Sequence, residues 1–275
     1  MKPARFDYIA AGSLAEVLAT LHEHGDQARI IAGGQSLMAM LNMRLVKPQI
    51  LLDIGRVEDL RYIRRDGKFV EVGATTTQAE LGDWPDLGTA LPLLAQAIPH
   101  IGHFQTRNRG TVCGSISHSD PSSELPLALA TLAGEVVLQN RRAKRVVKAA
   151  EFQTGMLSTA RKPDEIVTAV RFPVAGPSQG HAFREIARRH GDFAVVALAA
   201  VSDGRSARLG VGGVADKPTI LDIGSVAGAD FDGLLNGFAW GLGATDDIHA
   251  SALYRRELVR RLGRQVLNEA IHAAS

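Results

Sequence analysis

The sequence predicts an α+β protein of three consecutive units, residues 1–55, 56–176 and 177–275. Three observations lead to this reading. Helical and strand patterns alternate up to Gly55, which suits a small α/β unit with parallel pairing. Paired apolar runs around tight turns then take over, as in antiparallel sheet. Beyond residues 173–180, which have the Pro and Gly content of a linker, strand patterns give way to helical ones.

In the first unit, Ser13 and Glu16 have the spacing of a capping box. Leu14, Val17, Leu18 and Leu21 recur at helical intervals until Gly25 supplies a stop. Residues 29–32 read as a short buried strand, and Ala32-Gly33-Gly34-Gln35-Ser36 turns it into an apolar helical segment, 37–45, that starts at Leu37. A strand, a glycine pair and a helix start turn N–H groups and the positive end of the helix dipole toward an anion. Residues 50–54 are the next strand.

In the second unit, residues 60–63 and 68–74 flank Asp66-Gly67, a hairpin signal. Thr77 and Glu80 repeat the capping-box spacing, and residues 91–98 form a short helix with Pro92 in its first turn. Residues 135–139 pair with 145–148, 151–157 make a helical turn, and 165–172 return as a strand. In the third unit, residues 181–187, 193–201 and 207–214 predict a three-stranded antiparallel sheet. From Phe231 the pattern is helical, ending in an amphipathic segment with Leu253, Leu258, Leu262, Val266 and Ile271 on one side.

Composition narrows the function. Apolar residues at 45% and charged residues at 22% exclude a wholly disordered chain. The net charge of +2, with basic clustering confined to residues 141–148 and 255–264, gives no reason to expect nucleic acid. The single cysteine, Cys113, forms no internal disulfide and cannot alone hold zinc or an iron–sulfur cluster, so any such centre belongs to another chain. Residues 1–8 lack the apolar core of a signal peptide, and no apolar run approaches the roughly 20 residues of a membrane helix. A cytoplasmic location without membrane insertion is the expectation.

The segment 108–126 carries the strongest sign of a site. From Thr111 to Ser123 it is made largely of small or hydroxylated residues, including Gly114 and Ser115, so backbone N–H groups can converge on an anion. The other reading is an ordinary turn between core elements. Asp120 stands where an N-cap would, with Pro121 at the first helical position. Other features are weaker. Gly210-Val211-Gly212-Gly213 fits the letters of a dinucleotide fingerprint, but Pro218 falls where its helix should run. His100, His103 and His118 lack a carboxylate partner in any metal-binding spacing, so hydrogen-bonding or packing roles are expected and no metal. Cys113 reads as a small buried residue, with no base beside it to make it a nucleophile. Arg107 and Arg109 either hold a phosphate or stand in solvent, and Phe193 either packs in the core or stacks on a flat ring.

Taken together, Ala32-Gly33-Gly34-Gln35-Ser36, Asn108-Arg109-Gly110-Thr111-Val112 with Gly114, and His118-Ser119-Asp120-Pro121 with Glu124-Leu125-Pro126 resemble one family. It is the FAD-binding medium subunit of the molybdenum hydroxylases, the group of carbon monoxide, xanthine and related heterocycle dehydrogenases. The resemblance covers essentially the whole chain, including Asp247-Ile248-His249-Ala250-Ser251-Ala252 with Tyr254-Arg255. It implies a vanillyl-alcohol-oxidase-type FAD-binding domain of two α/β subdomains, followed by a C-terminal domain of a three-stranded sheet and a helical bundle.

The same resemblance implies FAD as the cofactor of this chain. The segments Ala32 to Leu37 and Thr111 to Ser115 would embrace its pyrophosphate, with His118 nearby and Asp120 reaching the ribityl or adenosine portion. Phe193 would lie against the isoalloxazine ring, with Arg184 and Ile166 close by. A large molybdopterin subunit and a small subunit with two 2Fe–2S clusters would complete a dimer of heterotrimers, in which this flavoprotein passes electrons to an external acceptor and carries no residue that acts on the substrate. Two other readings stay open, a non-catalytic nucleotide-binding or assembly module of the same fold and a self-sufficient flavin oxidase. The sequence departs from the family pattern at Cys113 (usually glycine), Phe193 (frequently tyrosine), Arg184 (usually lysine) and Ala39 (commonly proline). Cys113 is therefore expected to have an ordinary φ, with any positive φ falling on Gly114.

Overall fold

A computed structural model describes residues 2–274. The first sheet is parallel, with Ile50–Asp53 in the centre between Asp7–Ala10 and Ala28–Ile31. Asp7–Ala10 is a strand that the sequence pattern did not mark. The crossover helix, Leu14–His24, buries Val17, Leu18 and Leu21 and ends at Gly25 with φ 49°. Ser13 caps it, but the Glu16 carboxylate accepts from Gly12 N–H (2.7 Å) and so reaches one residue past the box position. The helix after the glycine turn, Leu37–Asn42, is shorter than expected, because Arg44 takes a left-handed φ of 59°.

The second sheet is antiparallel in the order Ile63–Asp66, Phe69–Gly73, Ile166–Pro173, Glu135–Gln139, Lys144–Lys148. The returning strand Ile166–Pro173 thus lies in the centre, and Thr77 with Glu80 forms a complete capping box. Two expectations fail here. The helical turn is Ala149–Phe152, and Gln153–Gly155 then pairs with Ser158–Thr159, because Leu157 adopts φ 53° and reverses the chain. The segment after Thr111 is not an open loop: Val112–His118 is a helix, held by burial of Val112, Cys113 and Ile116 despite its weak helix formers.

The third sheet has four strands, not three: Gly180–Ala187, Ala194–Ser202, Ala207–Gly212 and Thr219–Ile223. The fourth escapes the pattern because it is short, partly buried and on the edge, where a preceding Pro218 is tolerated. The expected bundle is a pair of helices, Phe231–Gly241 and Ala252–Ala273. The inward stripe of the latter is Arg255, Val259, Gly263, Val266, Leu267 and Ala270, while Leu253 is 71% exposed. The other face of the sheet receives helix Glu124–Thr131, every residue of which is buried. Gly210 and Gly212 make that approach possible, since a Cβ at Gly210 would strike the Thr131 hydroxyl and one at Gly212 would crowd Pro121 O and Leu127. These glycines serve packing within a strand.

Candidate functional site

The two glycine-bearing segments meet because Gly33 has no side chain. A Cβ there would overlap the Arg109 carbonyl oxygen and lie 2.8 Å from Gly110 Cα, so the turn after strand Ala28–Ile31 rests directly on the backbone ahead of Thr111. Gly34 takes φ 71°, and Gln35 Nε2 donates to Gly33 O (3.2 Å), which fixes the turn. Ser36 at the start of helix Leu37–Asn42 makes no side-chain cap, so it leaves the first N–H groups of that helix unclaimed by its hydroxyl.

On the other side, Thr111 Oγ1 accepts from Gly114 N–H (3.0 Å) and starts helix Val112–His118. A Cβ on Gly114 would stand 2.6 Å from that hydroxyl, so glycine is kept here for the cap and not for a positive φ. Cys113 is likewise helical, and it packs inward with Sγ 3.4 Å from Val72 O. Burial pushes its thiol well above the ordinary cysteine value, which leaves it an inert core residue. The helix turns Gly114, Ser115, Ser117 and His118 toward the space opposite Gly33.

That space is a cleft of about 560 Å³, within the range of cofactor pockets. Ala32, Gly33, Gly34, Gln35, Ser36, Leu37, Thr111, Gly114, Ser115, His118, Ile166 and Phe193 all line it. Phe193 is 68% exposed at its lip, just before strand Ala194–Ser202, and does not pack in the core. Ile166 is buried deeper, at the start of the central strand of the second sheet. Burial is the main reason that His118 is held below the ordinary histidine value; Asp120 opposes this and Arg29 reinforces it.

Two expected site residues lie elsewhere. Asp120 does not line the cleft and is not the N-cap of the next helix: its Oδ1 accepts from Ser122 N–H (2.9 Å) in a local turn, and Ser123 is the capping position. Arg184 pairs with Glu269 of the C-terminal helix (2.6 Å) and faces a second, smaller cavity. The strand register explains this. Ala187 lies opposite Ala194, beside Phe193, so Arg184 is three positions down an extended strand, about 10 Å away. Arg107 is structural, donating to the Ile101 carbonyl (2.9 Å). Among the described residues no group of three His, Cys, Asp or Glu side chains is placed to hold a metal ion.

Many cleft residues were not among the predicted site, and four of them bear on its charge and hydrogen bonding. Arg29 precedes the glycine turn on an edge strand, where alternation with Ile30 could have revealed it. Arg161 comes from an irregular segment with no sequence signal. Its Nη1 donates to Lys162 O (2.9 Å) and Glu165 O (2.7 Å), and burial followed by the charge of Arg29 lowers its pKa. Two cations therefore share one end of the cleft, which is favourable when an anion lies between them. Gln78 Oε1 is buried at the wall with no hydrogen-bond partner in the chain.

The fourth is Glu124, 7% exposed, whose carboxyl is raised to about 7 by burial. A second buried acid, Glu185, is raised to about 8, by burial first and then by the charge of Glu124. The unfolded chain ionises both near the ordinary value of 4.5. Between 4.5 and their folded values of about 7 and 8, the folded state holds protons that the unfolded state has lost. Stability therefore falls as pH rises through that window. Thermal melts across it should show a falling Tm, with a flatter dependence in Glu185→Gln; an unchanged slope in that variant would show that Glu185 ionises at its ordinary value.

Comparison with known proteins places this geometry. Residues 4–175 match the family described as the FAD binding domain in molybdopterin dehydrogenase. The chain is 34% identical to the 6-hydroxypseudooxynicotine dehydrogenase complex subunit alpha of Paenarthrobacter nicotinovorans, over 100% of this chain and 97% of the relative. It superposes on a chain of the carbon monoxide dehydrogenase from Hydrogenophaga pseudoflava with a TM-score of 0.93 at 30% identity, covering 100% of both. For quinoline 2-oxidoreductase from Pseudomonas putida 86 the TM-score is 0.91 at 33% identity, over 100% of this chain and 99% of that one. The chain belongs to the FAD-binding medium subunits of the molybdenum hydroxylases, the flavoprotein component of multi-subunit oxidoreductases of the carbon monoxide dehydrogenase type.

Proposed function

We propose that the cleft holds FAD and that the chain uses it to carry electrons from a partner's iron–sulfur clusters to an external acceptor. The observation that supports this most is the seating of Gly33 on Arg109–Gly110, which brings two small-residue turns and their N–H groups into one cleft. The residues fit the cofactor. Ala32 to Leu37 and Thr111 to Ser115 would hold the diphosphate, with His118 beside them, and Arg29 and Arg161 would supply positive charge to it. The unpartnered Gln78 Oε1 offers an acceptor to a ligand N–H or O–H. Phe193 at the lip and Ile166 deeper in the cleft would hold the flavin ring between them.

When bound, FAD supplies the interconversion between paired-electron and single-electron transfer that the clusters and the acceptor require. The chain contributes binding, orientation and the local field. The relatives whose names specify carbon monoxide, quinoline and 6-hydroxypseudooxynicotine share this fold and length. Substrate choice therefore belongs to the large molybdopterin subunit, and this subunit serves with it and a small subunit carrying two 2Fe–2S clusters, as a dimer of heterotrimers in the cytoplasm. Within the chain we assign residues 1–55 and 56–176 to the FAD-binding part and 177–275 to the C-terminal part.

The purified chain should be yellow, with one FAD per chain by absorbance; a folded preparation that stays colourless after incubation with FAD would overturn the proposal. Reduction of the bound flavin by substrate in the reconstituted complex separates the electron-carrying role from a mere assembly role.

A further inference from the structure

Leu157, in the wall of the cleft, is held in a conformation that the fold alone gives it no reason to adopt. Its φ of 53° is left-handed, which is unfavourable for a residue with a Cβ because that atom crowds the following carbonyl oxygen. Glycine or asparagine would make the same turn with little strain. Leu157 is also 47% exposed and belongs to neither hydrophobic core. A strained backbone and an exposed apolar side chain are both unfavourable, and packing within the chain offsets neither.

The surroundings nevertheless hold the residue firmly. Gln153–Gly155 and Ser158–Thr159 pair as a hairpin with Leu157 at its tip. At the root, Phe152 is fully buried and its carbonyl accepts from Ala160 N–H (2.8 Å). At the tip, Leu157 N–H donates to Ser119 O (3.0 Å), and Ser119 Oγ donates to Gly155 O (3.3 Å). Ser119 is 2% exposed and is itself left-handed, at φ 54°, where it ends helix Val112–His118. Two left-handed residues are thus clasped together, and the tip is fixed to the helix that forms one wall of the cleft. Of the two residues at the tip, Met156 stands outside the cleft lining and Leu157 within it. Thr159 and Arg161, next along the chain, line the cleft as well, and Arg161 lies close enough to Arg29 to feel its charge.

This part of the cleft therefore sets an apolar side chain beside two guanidinium groups. Such a setting suits a flat ring joined to phosphates. FAD has two flat ring systems, one on each side of its diphosphate. Phe193, on the lip that Gly191 forms against Gly102 O, is taken up by the isoalloxazine in the reading above. Resting on that reading, we infer that Leu157 is the surface on which the adenine of FAD packs, and that hairpin 153–159 recognises the nucleotide half of the cofactor. Contact with the ring removes the isobutyl group from water, and the clasp on Ser119 keeps that group in place before the ligand arrives.

The test uses the full-length chain and two substitutions. Leu157→Gly removes both the side chain and the strain, so the chain without FAD should melt about 2–4 °C higher while FAD binds roughly tenfold more weakly. Leu157→Ala removes the side chain but keeps a Cβ on the left-handed backbone. It should lose FAD affinity to the same degree with no gain in melting temperature. ADP, which carries the adenine and the diphosphate but no flavin, separates the two rings. It should displace FAD from the wild type, and its own affinity should fall by the same factor in both variants. Wild-type FAD affinity in Leu157→Gly and Leu157→Ala would overturn the contact. Weaker FAD binding with unchanged ADP affinity, or a wild type that ADP does not compete, would overturn the assignment to adenine. In each of these cases the cleft remains the FAD site. A folded wild-type chain that takes up no FAD overturns that reading, and the adenine contact with it.

Discussion

Gly33→Ala should abolish FAD binding, lowering affinity at least 100-fold, equivalent to about 3 kcal/mol. The new Cβ would overlap the Arg109 carbonyl oxygen and crowd Gly110 Cα, and both obstacles are backbone. Relief therefore requires the glycine turn to lift away from the segment ahead of Thr111. That movement separates the two sets of N–H groups that together face the cleft, and overpacking of this kind costs roughly 1–3 kcal/mol of stability as well. Gly34→Ala tests a different mechanism. Its φ is 71°, and its Cβ would meet only the flexible tips of Ile31 and Met38 at 3.3 Å. The cost is then about 1–2 kcal/mol of backbone strain, with a smaller loss of FAD. Titration of FAD into each variant, alongside thermal melts, separates the two cases. Equal affinity in Gly33→Ala and the wild type would mean that the seating of Gly33 on Arg109 does not shape the site.

The contrast between these glycines shows what the sequence could convey. A turn at Gly33-Gly34 was legible because a glycine pair stands between a strand pattern and a helical one, and the structure places a positive φ at Gly34. That Gly33 is glycine because of Arg109, far along the chain, was not legible, since no local rule records a long-range contact. The same holds at Gly114, where glycine is kept by the Thr111 hydroxyl, and at Gly210, kept by Thr131. Helix Val112–His118 hid behind weak local propensity that tertiary burial overrides. Cleft residues grouped in the two motifs were found from sequence, whereas Arg161, held by carbonyls of an irregular segment, offered no periodicity to read. Arg184 was misplaced because the resemblance gave a neighbour in sequence, and the strand carried it about 10 Å from the lip.

Arg255→Ala should lower stability by roughly 1–3 kcal/mol, although Arg255 lies on the C-terminal helix outside the cleft lining. Its side chain is 6% exposed and binds three acceptors: Val195 O (2.6 Å), Gly213 O (2.7 Å) and Asp247 Oδ2 (2.5 Å). Removing it leaves the buried Val195 carbonyl to find another donor and frees the 247–250 turn. The Asp247 carboxyl is held down at about 2, first by Ala250 and His249 N–H and then by Arg255, so this support is lost only as pH falls through the acid range. Consequences reach the cleft through two short links. Val195 is two residues beyond Phe193, and Gly213 N–H donates to Pro121 O (2.8 Å), in the turn between helix Val112–His118 and Glu124. Arg255→Ala should therefore loosen both the aromatic lip and the Pro121 turn, and lower FAD occupancy in the fraction that remains folded. Arg255→Lys keeps the charge but reaches fewer acceptors from a single nitrogen, so its stability should fall between the two. Chemical denaturation of the three proteins, with FAD content measured at equal folded fraction, checks the order; a variant with wild-type stability would show that the guanidinium is dispensable to the packing of the sheet on its helix.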